Sequence, residues 1–527
     1  MHTIEMQFAG NRFAEIILKF PCPQKILMVT DSSLDFGTGG FGLSEFVSIV
    51  RGAGHTVTTA HRSGSGPNLT IAGSYNFATA ATAVTPANYD QIWLFAFSTT
   101  ALSGPEQSTI AQFMKSGGGV FATGDHETIG AGMGANLPRV RSMRNWATIP
   151  MVNPNRHDTV VDPGADNVKQ FQDQADAIPQ RIYPVFFSNG GADNVASSWS
   201  VHPVLRHASG AVNYLPDHPH ESECLAPSPV AGSFAGVEEW PAPVGGGARI
   251  AAQVAAVSIS AGRFITDTLK PPVKPRCFGA ISAYDGDGAS VGRIICDATW
   301  HHFVNINLNG AGAGLDPTTG LARTGLYAGG VATPEYLKIQ RYYLNTVRWL
   351  APRNRRFCWP FLQVALARFD FEIAELRLPF PHPCPWDPLL RGGLIAEAAL
   401  TRHWGPGALA EIVDDMVEAV SPTPALVRLM KAQQPVDDGA QDARAEPSLL
   451  PLQDMRRVML ASVLNLIAHK LPEDEEKLAS LLKRGHDKLA KEIVAEGVAA
   501  GALAINDHLQ RALKQTATLA KALQAKK

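Results

Sequence analysis

Three ionisable side chains, Asp125, His126 and Glu127, stand at the end of the apolar run Gly119-Val120-Phe121-Ala122-Thr123. Gly117 and Gly118 precede the run, and Thr128-Ile129-Gly130 follow. In an open α/β sheet, ligands bind at the carboxyl ends of strands, where a strand passes into a helix through a tight turn. A nucleophilic serine or cysteine is common at such an elbow. Carboxylates and an imidazole in that place point instead to metal ligation or acid–base work. The plainer alternative is a hydrogen-bonded turn capped by Asp125.

Two further clusters carry the same residue types. One is Asp217-His218-Pro219-His220-Glu221-Ser222-Glu223; the other is Asp297 with His301 and His302 at a predicted strand end. Imidazole and carboxylate suit zinc, manganese or iron when three or four of them converge from separate segments. Such an ion lowers the pKa of a bound water and supplies a nucleophile at neutral pH. The candidate ligands are Asp125, His126, Asp217, His220, Glu221 and His301. None of the spacings is a recognised zinc motif such as HExxH. The adjacent side chains of His301 and His302 point in different directions, so one is expected to face the site and the other to pack or cap. Asp31, at the end of the first strand, either lines the same crevice or caps the following segment. Arg144, in a small basic cluster with Arg139 and Arg141, is a candidate holder of an anionic substrate group, and His218 a second substrate contact. The loop Asp35 to Gly42 matches neither GxGxxG nor a Walker sequence and is expected to form a flexible rim.

The elements that position these residues read as alternating strands and helices, hence βαβ units on a parallel sheet. Strands are predicted at Lys25–Asp31, His55–Thr59, Tyr89–Ala96 and Val120–Thr123, with helices at Leu43–Gly52 and Ser103–Lys115. Ser103 and Glu106 form a capping-box pattern, with Pro105 in the first turn. Residues 135–250 loosen into a Pro-, Gly- and Asn-rich insertion. Strands return at Arg249–Ser258, Gly279–Tyr284 and Gly292–Ala298, and a helix over Pro334–Leu350 closes an α/β domain of residues 1–351. Residues 352–393 read as a Pro- and aromatic-rich connector. Residues 394–527 read as a helical domain, with a helix over Leu394–Val420 broken at Gly405-Pro406-Gly407, another over Leu452–Leu471, and a mobile loop over Pro435–Pro451.

Of 527 residues, 45% are hydrophobic, enough for a large core, and 47 Gly with 37 Pro imply many loops. The formal net charge of −2 gives no overall pull toward nucleic acid or an anionic membrane. Six scattered cysteines without a CxxC pair argue against a zinc ribbon or disulfide scaffold and suit a reducing compartment. Residues 1–20 lack the pattern of a secretion signal, and no uncharged apolar run spans a bilayer. The expectation is a soluble, cytoplasmic protein.

Taken together, these residues resemble the class I glutamine amidotransferase-like superfamily, and within it the ThuA-like (trehalose-utilisation) group. The Gly-Gly-Gly strand ending in Gly124-Asp125-His126, the pair His202-Pro203, the acidic loop Asp217 to Glu223, and the closing Gly292-Arg293-Ile294-Ile295 to Trp300-His301 carry the resemblance, over roughly residues 24–350. It implies a flavodoxin-like α/β fold in which His126 replaces the elbow cysteine, so that glutamine hydrolysis is excluded. It also implies a carbohydrate-type substrate. The chain departs from the group in Asp125, Glu127, His302, the long insertion and the helical tail.

The expected function is therefore an enzyme performing metal-assisted or His/carboxylate acid–base hydrolysis or elimination on a small polar substrate, sugar derivatives being one class. His126, Glu127 and His301 are the expected catalytic residues and Asp31, Arg144 and His218 the substrate contacts. A divalent ion is the expected cofactor. The alternative is a non-catalytic binding or assembly protein, self-associating or docking a partner through the Ala/Leu-rich tail.

Overall fold

The computed structural model describes residues 22–125, 128–146, 159–160, 169–170, 180–188, 199–216, 223–260, 276–315, 320–376, 378–381, 383–420, 452–474, 477–478, 480–481 and 487–524. Its centre is a nine-stranded sheet. The strands are β1 (Lys25–Thr30), β2 (Thr56–His61), β3 (Gln91–Phe95), β4 (Gly119–Thr123), β5 (Gln180–Pro184), β6 (Tyr214–Leu215), β7 (Gln253–Ser260), β8 (Arg276–Tyr284) and β9 (Ile294–Asp297). Their spatial order is β6-β5-β7-β8-β9-β4-β3-β1-β2. The run β2-β1-β3-β4-β9 is parallel throughout. That is the doubly wound, flavodoxin-like order, and the fold class is α/β as expected. β8, β7, β5 and β6 extend the sheet by antiparallel pairing.

Continuous apolar strands explain why the parallel half sits inside. Along β1, Ile26 and Met28 enter the core on one face, and Leu27 and Val29 the core on the other, as side chains of period two must. The first face is covered by α1 (Ser44–Gly52) and meets Phe46, Val47 and Val50. The second face meets Ile110, Phe113 and Met114 of α2 (Gly104–Lys115). The predicted capping box is present: the Glu106 carboxylate accepts from the N–H and the hydroxyl of Ser103 at 2.9 and 2.8 Å. A short helix, α3 (Asn305–Asn309), follows β9, and α4 (Pro334–Leu350) covers the first face with Tyr336, Tyr342 and Tyr343.

Beyond α4 the chain is helical. The stretch read as a connector holds α5 (Cys358–Ala367), whose ten residues are all buried, with Pro360 in its first turn. Its aromatics build a core rather than a link. α6 (Trp386–Trp404) and α7 (Ala408–Val420) part at Gly405-Pro406-Gly407, and α8 (Leu452–Lys470) and α9 (Asp487–Gln524) follow. These helices share a hydrophobic core of their own. Two cysteines expected to be single are joined: Cys22 and Cys358 form a disulfide with their Cα atoms 5.9 Å apart. No local pattern marks the pair, because 336 residues separate the two cysteines. Where the two halves meet, charges interlock. Glu411 pairs with Arg206 and Arg348, and Arg356 with Asp287 and Asp415. No helix among the described residues is long and apolar enough to cross a membrane.

Candidate active site at the carboxyl edge of the sheet

The ends of β1, β3, β4 and β9 lie side by side, and Asp31, Phe97, Asp125 and His301 follow them. Register is the reason. Thr123 of β4 pairs with Asp297 of β9, so the segments leaving both strands run together, and the N–H of Trp300 donates to the Gly124 carbonyl at 3.0 Å. Glycine is required at 124, since an added Cβ would lie 2.6 Å from the Ile129 carbonyl and 2.9 Å from the Trp146 ring.

This brings Asp125 and His301 together. Asp125 is buried, at 1% exposure, and its Oδ2 lies 3.6 Å from Nε2 of the partly buried His301. The other ring nitrogen, Nδ1, is 3.1 Å from Oδ1 of Asn307. The imidazole also stacks on Trp300, with centroids 4.2 Å apart and planes at 25°. Phe41, 43% exposed, approaches both rings edge-on. Asn307 and Phe41 were not singled out in the sequence.

A separation of 3.6 Å is too long for a good direct hydrogen bond. It matches the roughly 3.3–3.6 Å expected between two ligands held about 2.0–2.2 Å from one tetrahedral ion. It also leaves the pair able to address one hydroxyl or water from two sides. Among the described residues no three His, Cys, Asp or Glu side chains converge as a metal-binding group. The expected companions His126, Glu127, Asp217, His218, His220 and Glu221 lie outside the described residues.

Two other expectations take a different form, while His302 packs as one of the adjacent pair is expected to. His302 and Asp297 turn inward: Nδ1 of His302 is 2.5 Å from Oδ1 of Asp297, and Tyr342 donates to Asp297 Oδ2 at 2.6 Å. Burial and the Asp297 carboxylate push the Tyr342 hydroxyl well above its usual value, so it stays a donor. Arg144, expected to hold an anionic group, is engaged with the backbone. Its guanidinium is buried and donates to the carbonyls of Asp125 and Ala298, both at 2.7 Å, while lying over the Trp146 ring. It clasps the two segments that carry the pair, a role hidden from sequence because its partners are backbone carbonyls assembled by the fold. The Gly-rich loop is not a loose rim either. Asn305 donates from Nδ2 to Gly37 and Gly39, each at 2.9 Å, and accepts from the N–H of Glu45 at 3.0 Å.

Asp31 stands beside this arrangement with 3% exposure. Its Oδ1 accepts the N–H groups of Phe97 and Ser98 at 2.6 and 2.9 Å, while buried Oδ2 has no hydrogen-bond partner among the described residues. Burial raises its pKa against the lowering effect of those two N–H groups. His202, of the His-Pro pair, is buried beside Trp349, with ring centroids 4.9 Å apart. A groove of about 690 Å³ lies instead among the helices, lined by Trp386, Leu389, Ser462, Ala500 and Leu503. Its lining also includes Glu496, Asp507 and Arg511.

No protein-family model matches the chain, and no curated protein matches it.

Proposed function

We propose that the protein is an enzyme that hydrolyses or eliminates a small polar substrate at the carboxyl edge of its sheet, with Asp125 and His301 as the working pair. The observation carrying this reading is the 3.6 Å approach of Oδ2 and Nε2. An imidazole held by Asn307 and Trp300 at the rim, facing a buried carboxylate, suits proton transfer to and from one substrate oxygen. The same two atoms would hold a divalent ion such as zinc, manganese or iron, which would activate water there. In either form His301 contacts the reacting group and Arg144 keeps the two backbone segments in place. The resemblance to the ThuA-like group supports a sugar-type substrate, and the absence of cysteine from residues 124–127 argues against a glutaminase. His126 and Glu127 are kept in the proposal as further acid–base groups or ligands.

The test is metal content by plasma mass spectrometry, together with turnover across a panel of sugar esters, lactones and keto-sugars. Wild type is compared with His301→Ala and Asp125→Asn. Metal present in wild type and lost in both variants supports ligation by the pair. Metal-free protein whose turnover falls roughly 10²–10⁴-fold in both variants supports acid–base catalysis. Turnover unchanged in both variants overturns the proposal.

A further inference from the structure

A second pairing of base and hydroxyl lies at the end of β2, three places along the sheet from β4. His61 closes that strand and is fully buried. Ser63, two residues on, is exposed, and so is Ser65. The Oγ of Ser63 lies 2.9 Å from Nδ1 of His61 and 2.6 Å from the Oγ of Ser65.

The place of each proton follows from the contacts. The backbone N–H of Ser63 donates to Nδ1 of His61 at 3.1 Å, so that nitrogen carries a lone pair and the ring proton sits on Nε2. Nε2 in turn donates to the Ser32 carbonyl at 3.3 Å, which fixes the tautomer. With Nδ1 unprotonated, the Ser63 hydroxyl must be the donor to it, and the Ser63 oxygen accepts from Ser65. One chain of donation therefore runs from Ser65 through Ser63 and His61 to Ser32. A hydroxyl in reach of a base that a third group orients is the arrangement of an activated nucleophile.

The surroundings hold this chain in place. Ser32 keeps a left-handed backbone, with φ of 53°, which an L-residue retains only where its neighbours fix it. Beside it, burial raises the pKa of Asp31, and the charge of His61 is among the effects that lower it, so an imidazolium at His61 has a carboxylate nearby. The His61 carbonyl accepts from the N–H groups of Gly64 and Tyr75, both at 3.0 Å. The Arg62 guanidinium donates to the Thr100 carbonyl at 2.9 Å. The N–H groups of Ser65 and Gly66 make no hydrogen bond among the described residues, leaving backbone donors uncommitted next to Ser63 for a developing oxyanion.

We infer that Ser63 is a nucleophile activated by His61 and that it accepts the acyl group of small activated esters. The bond from Oγ to the ester carbon forms as the bond to the departing oxygen breaks, and that oxygen leaves with the electron pair. The Oγ proton passes to Nδ1 of His61 and from there to the leaving group. Water then attacks the acyl-serine by the same route, which releases the carboxylic acid and restores Ser63.

The chain contains its own control. Ser209 makes the same turn on His207, with its Oγ 2.8 Å and its N–H 3.1 Å from Nδ1, but Nε2 of His207 makes no hydrogen bond among the described residues. What sets Ser63 apart is the orienting carbonyl and Asp31 behind the ring, not the turn. The experiment treats the full chain with an alkyl fluorophosphonate, whose phosphorus bonds to the serine oxygen as fluoride leaves, and maps the adduct by peptide mass spectrometry. Wild type is compared with His61→Gln and Ser63→Ala, with circular dichroism to check folding. The expected result is an adduct at Ser63 that forms ~10²-fold or more faster than any at Ser209 and slows comparably in His61→Gln. No adduct at Ser63, or equal rates at Ser63 and Ser209, overturns the inference in favour of a purely structural turn. An undiminished rate in folded His61→Gln also overturns it.

Discussion

One nitrogen of Arg144, Nη2, donates to the carbonyl of Ala298 at 2.7 Å and to that of Asp125 at the same distance. The backbone segments bearing His301 and the Asp125 carboxylate are thus tied by a charge that never meets solvent. Arg144→Lys keeps the charge, but the shorter side chain loses the Nε contact to Ala298 and the planar group that lies over the Trp146 ring. A loss of about 2–3 kcal/mol in unfolding free energy is expected from the unpaired carbonyls. Turnover should fall with it, because the clasp sets the separation of the pair. Urea denaturation beside a kcat measurement checks both; intact stability would show that the clasp is dispensable.

Asp31 carries a carboxyl whose pKa burial raises. The folded protein therefore holds that proton to higher pH than the unfolded chain does. Stability contributed by this group is full below about 3.8, falls as pH rises through the raised folded value, and is flat above it. Asp31→Asn keeps an acceptor for Phe97 and Ser98 and abolishes the ionisation. Relative to wild type, the variant should gain stability on going from pH 3.5 to pH 7. An equal difference at both pH values would show that Asp31 does not titrate between them.

His202 behaves in the opposite sense. Burial, reinforced by Arg293 and Arg206, pushes its pKa down to about 3, so the folded ring stays neutral while the unfolded one takes a proton below about 6.5. Stability from this group is present above 6.5 and is lost as pH falls toward 3, at up to ~1.4 kcal/mol per pH unit. His202→Asn retains an acceptor for the N–H of Val204 and should reduce the slope of unfolding free energy between pH 6 and 4. A slope identical to that of wild type would sink the assignment.

Glu411 lies between Arg206 and Arg348. Burial disfavours its charge, but the two arginines outweigh that and lower its pKa. Glu411→Gln leaves two buried guanidinium groups without their shared counter-charge, at a cost on the order of 3 kcal/mol. Calorimetry should show a lower melting temperature, while turnover by molecules still folded is unchanged because the change is at the junction with the helices. A melt like that of wild type would show that other acids compensate.

Much of this fold can be read in the residues. Strands β1, β3 and β4 announce themselves as apolar runs, Ser103 and Glu106 mark a helix start, and Gly405-Pro406-Gly407 marks a break that α6 and α7 respect. Of the antiparallel half, β7 and β8 overlap the strands predicted at Arg249–Ser258 and Gly279–Tyr284, whereas β5 and β6 are not predicted. β5 and β6 are short, of mixed burial, and lie in a stretch whose prolines and glycines read as loop. The elbow at Asp125 and the strand end at His301 are each visible, but their meeting depends on β4 pairing with β9, a contact 174 residues apart in register. The inward turn of Asp297 depends in the same way on Tyr342, 45 residues later. Local pattern places side chains on strands. Which strands become neighbours is decided by the packing of whole layers.

The disulfide between Cys22 and Cys358 has a topological consequence. It turns everything from the first strand to the start of the helical core into a covalent ring whose two ends are pinned at one spot. A protease cut anywhere along that ring, including in the long insertion, leaves the pieces attached to one another. They would separate only when a reductant is added, so a nicked chain keeps both the β4 and the β9 segments, with Asp125 and His301, on one molecule.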